Sequence, residues 1–166
     1  MFFYLFAFTS NSLALDIHID KYEKKKHWNK PPTVVVCDDA PVSLNDVKKA
    51  VSAWSYKGVK FSDVRKQHSN ECQKKWSWNE EGDILITNDA RFLDKSSYNG
   101  WTVTYTYPED RSLITSAICE INPDKIKSDP GYSHKLLVHE IGHAIGYDHS
   151  HFSKNDVMKP SLSDVN

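Results

Sequence analysis

The chain has 166 residues and carries 21 Lys+Arg against 22 Asp+Glu, a formal net charge of −1. That length fits one domain, and the balance lacks the basic excess that nucleic acid or an anionic membrane surface demands of a partner. Six Gly and seven Pro exclude a collagenous or low-complexity chain, and no apolar run reaches the roughly 18–20 residues of a spanning helix. A monomeric domain without stable membrane insertion and without nucleic acid is expected.

Residues 1–14 (MFFYLFAFTSNSLA) contain no charged side chain, and Ser12-Leu13-Ala14 offers small residues where a signal peptidase reads. This pattern predicts a secretory signal cleaved after Ala14, hence an extracellular protein, although no Lys or Arg precedes the apolar run. The alternative is an apolar first strand or helix packed on the domain. Residues 15–30 form a lead-in whose KYEKKKHWNK stretch is expected to be a solvated arm, and residues 31–166 form the domain.

Thr33–Cys37 (TVVVC), bounded by Pro31-Pro32 and Asp38-Asp39, predicts a buried strand. Ser43 with Asp46 three residues on opens a helix, and Val47, Ala50, Val51 and Trp54 make its apolar stripe. Gly58 stops it. Residues 59–64 predict a second strand, with Val59 and Phe61 on one face. Residues 66–82 are polar, although Trp76 and Trp78 require an apolar neighbourhood or a binding surface.

Asp83–Thr87 (DILIT) predicts a third strand. Residues 101–107 (WTVTYTY) alternate strictly, with Trp101, Val103, Tyr105 and Tyr107 on one face and three threonines on the other. That is the pattern of a half-exposed, antiparallel edge strand. Leu113–Ile121 predicts a fifth strand, and Asp129-Pro130 opens a helix reaching about Ile145. The order predicts an α+β (α/β-like) domain around one mixed sheet.

His139-Glu140-Ile141-Gly142-His143 fits H-E-x-x-H within that helix. Histidines at i and i+4 share a face, so two imidazoles can converge on one ion, while Leu137, Ile141, Ala144 and Ile145 face the core. His149 can join only if the chain turns back, since a continuous helix would carry it about 15 Å from His139. Gly146 is the residue type that permits the turn. Three neutral imidazoles leave a tetrahedral zinc ion one open position, a catalytic arrangement. Glu140, beside the ligands, has the position of a general base that later returns the proton to the leaving amine. His134 and His151 fall off the ligand pattern. The three cysteines allow one pair and one free thiol, and spacing does not select the pair.

With HEIGHAIGYDHS at 139–150 and Met158 nine residues after His149, the chain resembles the metzincin metallopeptidases, and within them the matrixins, the matrix-metalloproteinase family. Trp28, the helix ending at Ala53-Trp54, and the segments at Val59-Lys60-Phe61 and Asp83-Ile84 fall in matrixin order. The resemblance implies a zinc endopeptidase with one catalytic Zn2+ held by His139, His143 and His149. It implies a twisted five-stranded mixed sheet, two main helices and an active-site helix ending at a Gly turn. Met158 would form the apolar floor in a turn under the metal. Residues Trp101, Thr102, Val103, Thr104 and Tyr105 would form the edge strand on which an extended peptide substrate pairs. Cys37 and Cys72 would form a disulfide and Cys119 would be a buried free thiol.

The chain departs from the family pattern in three respects. Eight residues follow Met158, too few for a closing helix, so a shallow S1′ wall is expected. No cysteine-switch segment is expected ahead of the domain, and the sequence offers no obvious second zinc cluster or acidic calcium loop. The competing readings are a non-catalytic, metal-stabilised peptide-binding domain and a zinc hydrolase of a non-peptide amide.

Overall fold

The strand TVVVC divides the interior in two. Val34 and Val36 point to one face of the sheet, Val35 and Cys37 to the other, and each is 1% exposed or less. The computed structural model describes residues 24–70, 72, 81–88, 98–126, 130–150 and 156–160. The expected leader at 1–14, Trp76, Trp78, Asp129, His151 and the segment 161–166 lie outside these described residues.

The elements, in chain order, are β1 (His27–Trp28), β2 (Thr33–Cys37), α1 (Leu44–Tyr56), β3 (Asp63–Gln67), β4 (Asp83–Thr87), β5 (Gly100–Thr106), β6 (Leu113–Ile121), α2 (Pro123–Ile126) and α3 (Pro130–Ala144). The strands form one sheet in the order β1-β6-β4-β2-β3, all parallel along that path. β5 pairs with β6 antiparallel, with a register shift between Tyr105 and Thr106. The architecture is α+β with a mostly parallel mixed sheet.

On one face, Val34, Val36, Ile84, Ile86, Ala117 and Cys119 pack against α1 and α3. On the other, Val35, Cys37, Cys72, Leu85 and Ile118 form a second, smaller cluster with Tyr105 against it. The Cys37–Cys72 disulfide belongs to this second cluster, and Cys119 is a buried free thiol.

Helix α1 begins where the sequence places it. The Ser43 hydroxyl accepts from the Asp46 amide at 3.1 Å while the Ser43 amide donates to the Asp46 carboxylate at 3.4 Å, a reciprocal cap. The helix ends at Tyr56, before Gly58 at φ 89°. Trp54 is fully buried; its indole N–H donates to the Val138 carbonyl of α3 at 2.8 Å. Burying such a side chain contributes about 1.5–3 kcal/mol, and the hydrogen bond fixes the two helices against each other.

Two sequence expectations are corrected. The strand expected at 59–64 is displaced to Asp63–Gln67. Val59 and Phe61 are the apolar pair of a connection tucked against the main core, whereas the strand itself reads DVRKQ. It lies at the end of the sheet, where charged residues are tolerated and protect the edge, so its pattern carries no apolar alternation. Among the described residues the sheet also has six strands, not five. The additional one is β1, inside the lysine-rich stretch expected to be a solvated arm. There the His27 amide donates to the Ser112 carbonyl at 2.8 Å and the Trp28 indole to the Ala144 carbonyl at 2.9 Å. Two residues are too few for any periodicity to reveal.

Candidate metal centre

Proline at the first position of α3 costs no hydrogen bond, and the helix presses Leu137, Ile141 and Ala144 into the core, with Ile145 just beyond its end. The opposite face carries His139 and His143. The chain then leaves the helix at Gly146, φ 101°, and returns with His149. The side-chain donor atoms of His139, His143 and His149 all lie within 4.8 Å of one another. The two Nε2 atoms of His139 and His143 are 3.0 Å apart.

Hydrogen bonds decide which nitrogen faces inward. His139 Nδ1 lies 2.6 Å from the Val157 carbonyl and His143 Nδ1 lies 2.8 Å from the Tyr147 carbonyl. A carbonyl only accepts, so both Nδ1 atoms carry the proton and both Nε2 atoms present lone pairs to each other. Burial, reinforced by the neighbouring imidazoles, pushes His139 down to about 3; burial also lowers His143. Both rings are therefore neutral at neutral pH. Neutral imidazoles with Nε2 free and Nδ1 anchored on carbonyls are a donor set that could hold a metal ion such as zinc. Tetrahedral zinc at about 2.0–2.1 Å per nitrogen sets neighbouring donors about 3.3 Å apart, close to the 3.0 Å between the His139 and His143 Nε2 atoms.

The turn at 156–159 supports the histidines from beneath. Its Val157 carbonyl holds His139, and its Met158 carbonyl accepts from the Ser150 amide, next to His149, at 2.7 Å. The Met158 side chain is fully buried against α3. A Cβ on Gly142 would lie 2.3 Å from its sulfur and 2.7 Å from Trp54, so only glycine lets the helix sit this deep. Gly146 is equally constrained: a Cβ there would meet the Lys26 carbonyl oxygen at 2.0 Å.

Glu140 is 4% exposed, and its burial pushes its carboxyl up to about 7. The Thr102 hydroxyl, 2.6 Å from Glu140 Oε2, pulls in the opposite direction. A Cβ on Gly100 would stand 2.6 Å from Glu140 Oε1, so β5 yields room for the carboxylate at this point. The Cys119 thiol donates to the Glu140 carbonyl at 3.6 Å, and its own burial raises its pKa well beyond the ordinary thiol range.

These groups open on a cleft of about 550 Å³ whose lining includes Tyr98, Trp101, Thr102, Thr104 and Tyr147. Tyr98 and Trp101 meet edge-to-face at 5.3 Å on its rim and are 47% and 40% exposed. Of the five edge-strand residues nominated from the sequence, Trp101, Thr102 and Thr104 line the cleft. Val103 and Tyr105 do not; Tyr105 packs on the Val35 cluster across the sheet. His134 stands apart from the three converging histidines.

Two contributors, Lys26 and Gly100, and one role, that of Thr102 toward Glu140, escape a reading of the sequence. Lys26 lines the cleft from a stretch that looks like solvent-exposed charge. Gly100 and Thr102 act on Glu140 from 38–40 residues away, a pairing no spacing reveals. Gly142 did leave a signal: glycine inside a helix costs about 1 kcal/mol against alanine, which marks a close approach. Among the described residues no helix is long and apolar enough to cross a membrane. No protein-family model, curated protein or solved structure matches the chain.

Proposed function

We propose that the chain is a zinc-dependent endopeptidase of metzincin type, most like the matrixins, with Glu140 as general base and then general acid. One observation carries this reading: three imidazoles with donor atoms close together stand beside a buried carboxylate in an open cleft. His139, His143 and His149 would hold the ion. Bound there, zinc supplies a water of lowered pKa, near 7, and polarises the scissile carbonyl.

The chain's own residues account for the rest of the chemistry. Thr102 holds one oxygen of Glu140, so the carboxylate is oriented before substrate arrives. Glu140 takes a proton as the water oxygen bonds to the carbonyl carbon. It returns that proton to the amide nitrogen as the C–N bond breaks, leaving a carboxylate and an amine. Strand β5, antiparallel to β6 at the cleft, is the edge on which an extended peptide would add as a further strand. A peptide substrate is favoured over a small amide by this rim. A metal used only for stability would have no use for a carboxylate oriented by its own hydroxyl. The Cys37–Cys72 disulfide supports an exported protein.

The test is hydrolysis of denatured casein by the zinc-loaded chain, with and without chelator, beside Glu140→Gln. Chelator-sensitive cleavage that the variant loses, with zinc stoichiometry unchanged, is expected. Zinc binding without any cleavage would favour the metal-stabilised binding domain, and cleavage that survives Glu140→Gln would remove the proposed base.

A further inference from the structure

A cation stands in the cleft that the proposed hydrolysis does not use. The Lys26 ammonium donates to the Thr104 hydroxyl at 2.8 Å. Thr104 lies two residues along β5 from Thr102, on the same face, so the cation and the Glu140 carboxylate address one side of the strand about 6.7 Å apart along it. Its backbone is fixed. The Lys26 carbonyl packs on Gly146, His27 is paired to β6, and on the other side the Lys25 ammonium ion-pairs with Asp148. Lys24 sits over the Tyr147 ring at 5.3 Å.

Charges at this end of the cleft are unequal. Three lysines, Lys24, Lys25 and Lys26, stand against Asp148, which Lys25 already pairs. Asp148 senses Lys26 at longer range, but among the described residues no carboxylate ion-pairs with the Lys26 ammonium. A half-buried ammonium with one hydroxyl partner retains donors for an incoming anion.

We infer that Lys26 is a specificity-determining residue: it forms a carboxylate subsite, and the preferred substrate is a peptide with an acidic side chain a few residues from the scissile bond. The inference rests on the peptidase reading for its role in turnover, but not for its recognition of a carboxylate. A substrate strand laid along β5 advances at the same rise per residue, about 3.3–3.4 Å, so the acidic residue falls within about three positions of the bond cut near Glu140.

The experiment uses fluorogenic peptides of mixed sequence, in pairs that differ by Glu or Gln at each of the three positions on either side of the scissile bond. Each pair is made with a free and an amidated C-terminus. The zinc-loaded chain should cleave the Glu member about tenfold faster in kcat/KM at one position, the worth of one charge-assisted hydrogen bond. Lys26→Met should bring that Glu/Gln ratio to about one, Lys26→Arg should retain it, and Lys26→Glu should invert it. Equal cleavage of every Glu/Gln pair by the parent chain overturns the subsite. So does a preference that follows the free C-terminus instead, since the carboxylate recognised would then be the chain end. Fluorescence anisotropy of the same labelled peptides on zinc-loaded Glu140→Gln separates the two readings. Preferential binding of the Glu peptide without cleavage by the parent chain leaves the subsite standing and removes the peptidase. Binding that ignores Glu versus Gln removes the subsite alone.

Discussion

Gly142 and Met158 are in such close contact that no side chain could stand between them. The sulfur lies 2.3 Å from where a Cβ would be, with Trp54 on the other side at 2.7 Å. Gly142→Ala gains up to about 1 kcal/mol of helix propensity. Overpacking a rigid site costs about 1–3 kcal/mol, so the loss prevails. Thermal melting should show a lower midpoint, and the helix should shift enough to weaken zinc binding. A midpoint at or above the parent's would contradict the contact.

Thr102 donates to Glu140 Oε2 from β5. Thr102→Val keeps the shape and removes the donor. Hydrogen bonds to charged groups contribute about 1.5–3 kcal/mol, so kcat should fall roughly tenfold to a hundredfold. KM should move little, and Thr102→Ser should recover most of the rate. Equal losses in Thr102→Ser and Thr102→Val would show that the hydroxyl is not what orients Glu140.

Metal removal offers a readout independent of turnover. A single zinc ion at a thousandfold over its Kd should stabilise the fold by about 4 kcal/mol, lost on chelation. His139→Ala, His143→Ala and His149→Ala should each abolish one-to-one binding seen by calorimetry. Undiminished binding in His149→Ala would exclude the third ligand.

The disulfide lies on the sheet face away from α3 and closes a separation of 35 residues. Replacing Cys37 and Cys72 by Ala should cost about 4 kcal/mol, judged from loop length. Zinc stoichiometry should be unchanged, because no ligand touches that cluster. Loss of zinc in the double variant would mean that the two faces are coupled.

Cys119 is fully buried, and a thiol whose pKa is raised has less thiolate at every pH below it. Iodoacetamide at pH 7–9 should leave the native chain unmodified and label one thiol in guanidinium. Native labelling would indicate opening between β5 and α3.

Much of this was legible in the residues. The capping pair Ser43/Asp46, the stripe through Trp54 and the H-E-x-x-H phase are local, and local spacing reports them directly. Gly146 was legible because a third histidine is useless without a turn. The strand at Asp63–Gln67 was not, since an edge strand with charged side chains carries no alternation, and the more apolar Val59 and Phe61 drew the assignment to themselves. Lys26 and Thr102 act through contacts across the sheet, which a one-dimensional pattern does not encode. Val103 and Tyr105 lie on the expected strand but outside the cleft lining, with Tyr105 packed across the sheet on the Val35 cluster.

The bond from the Trp28 indole to the Ala144 carbonyl joins residues 116 positions apart, and the Lys26 carbonyl closes over Gly146 beside it. During synthesis Trp28 therefore waits for the chain to be made through Ala144 before its partner exists. A nascent chain has no finished cleft until His149 and the Met158 turn have emerged, so the three histidines come together late, as a by-product of topology.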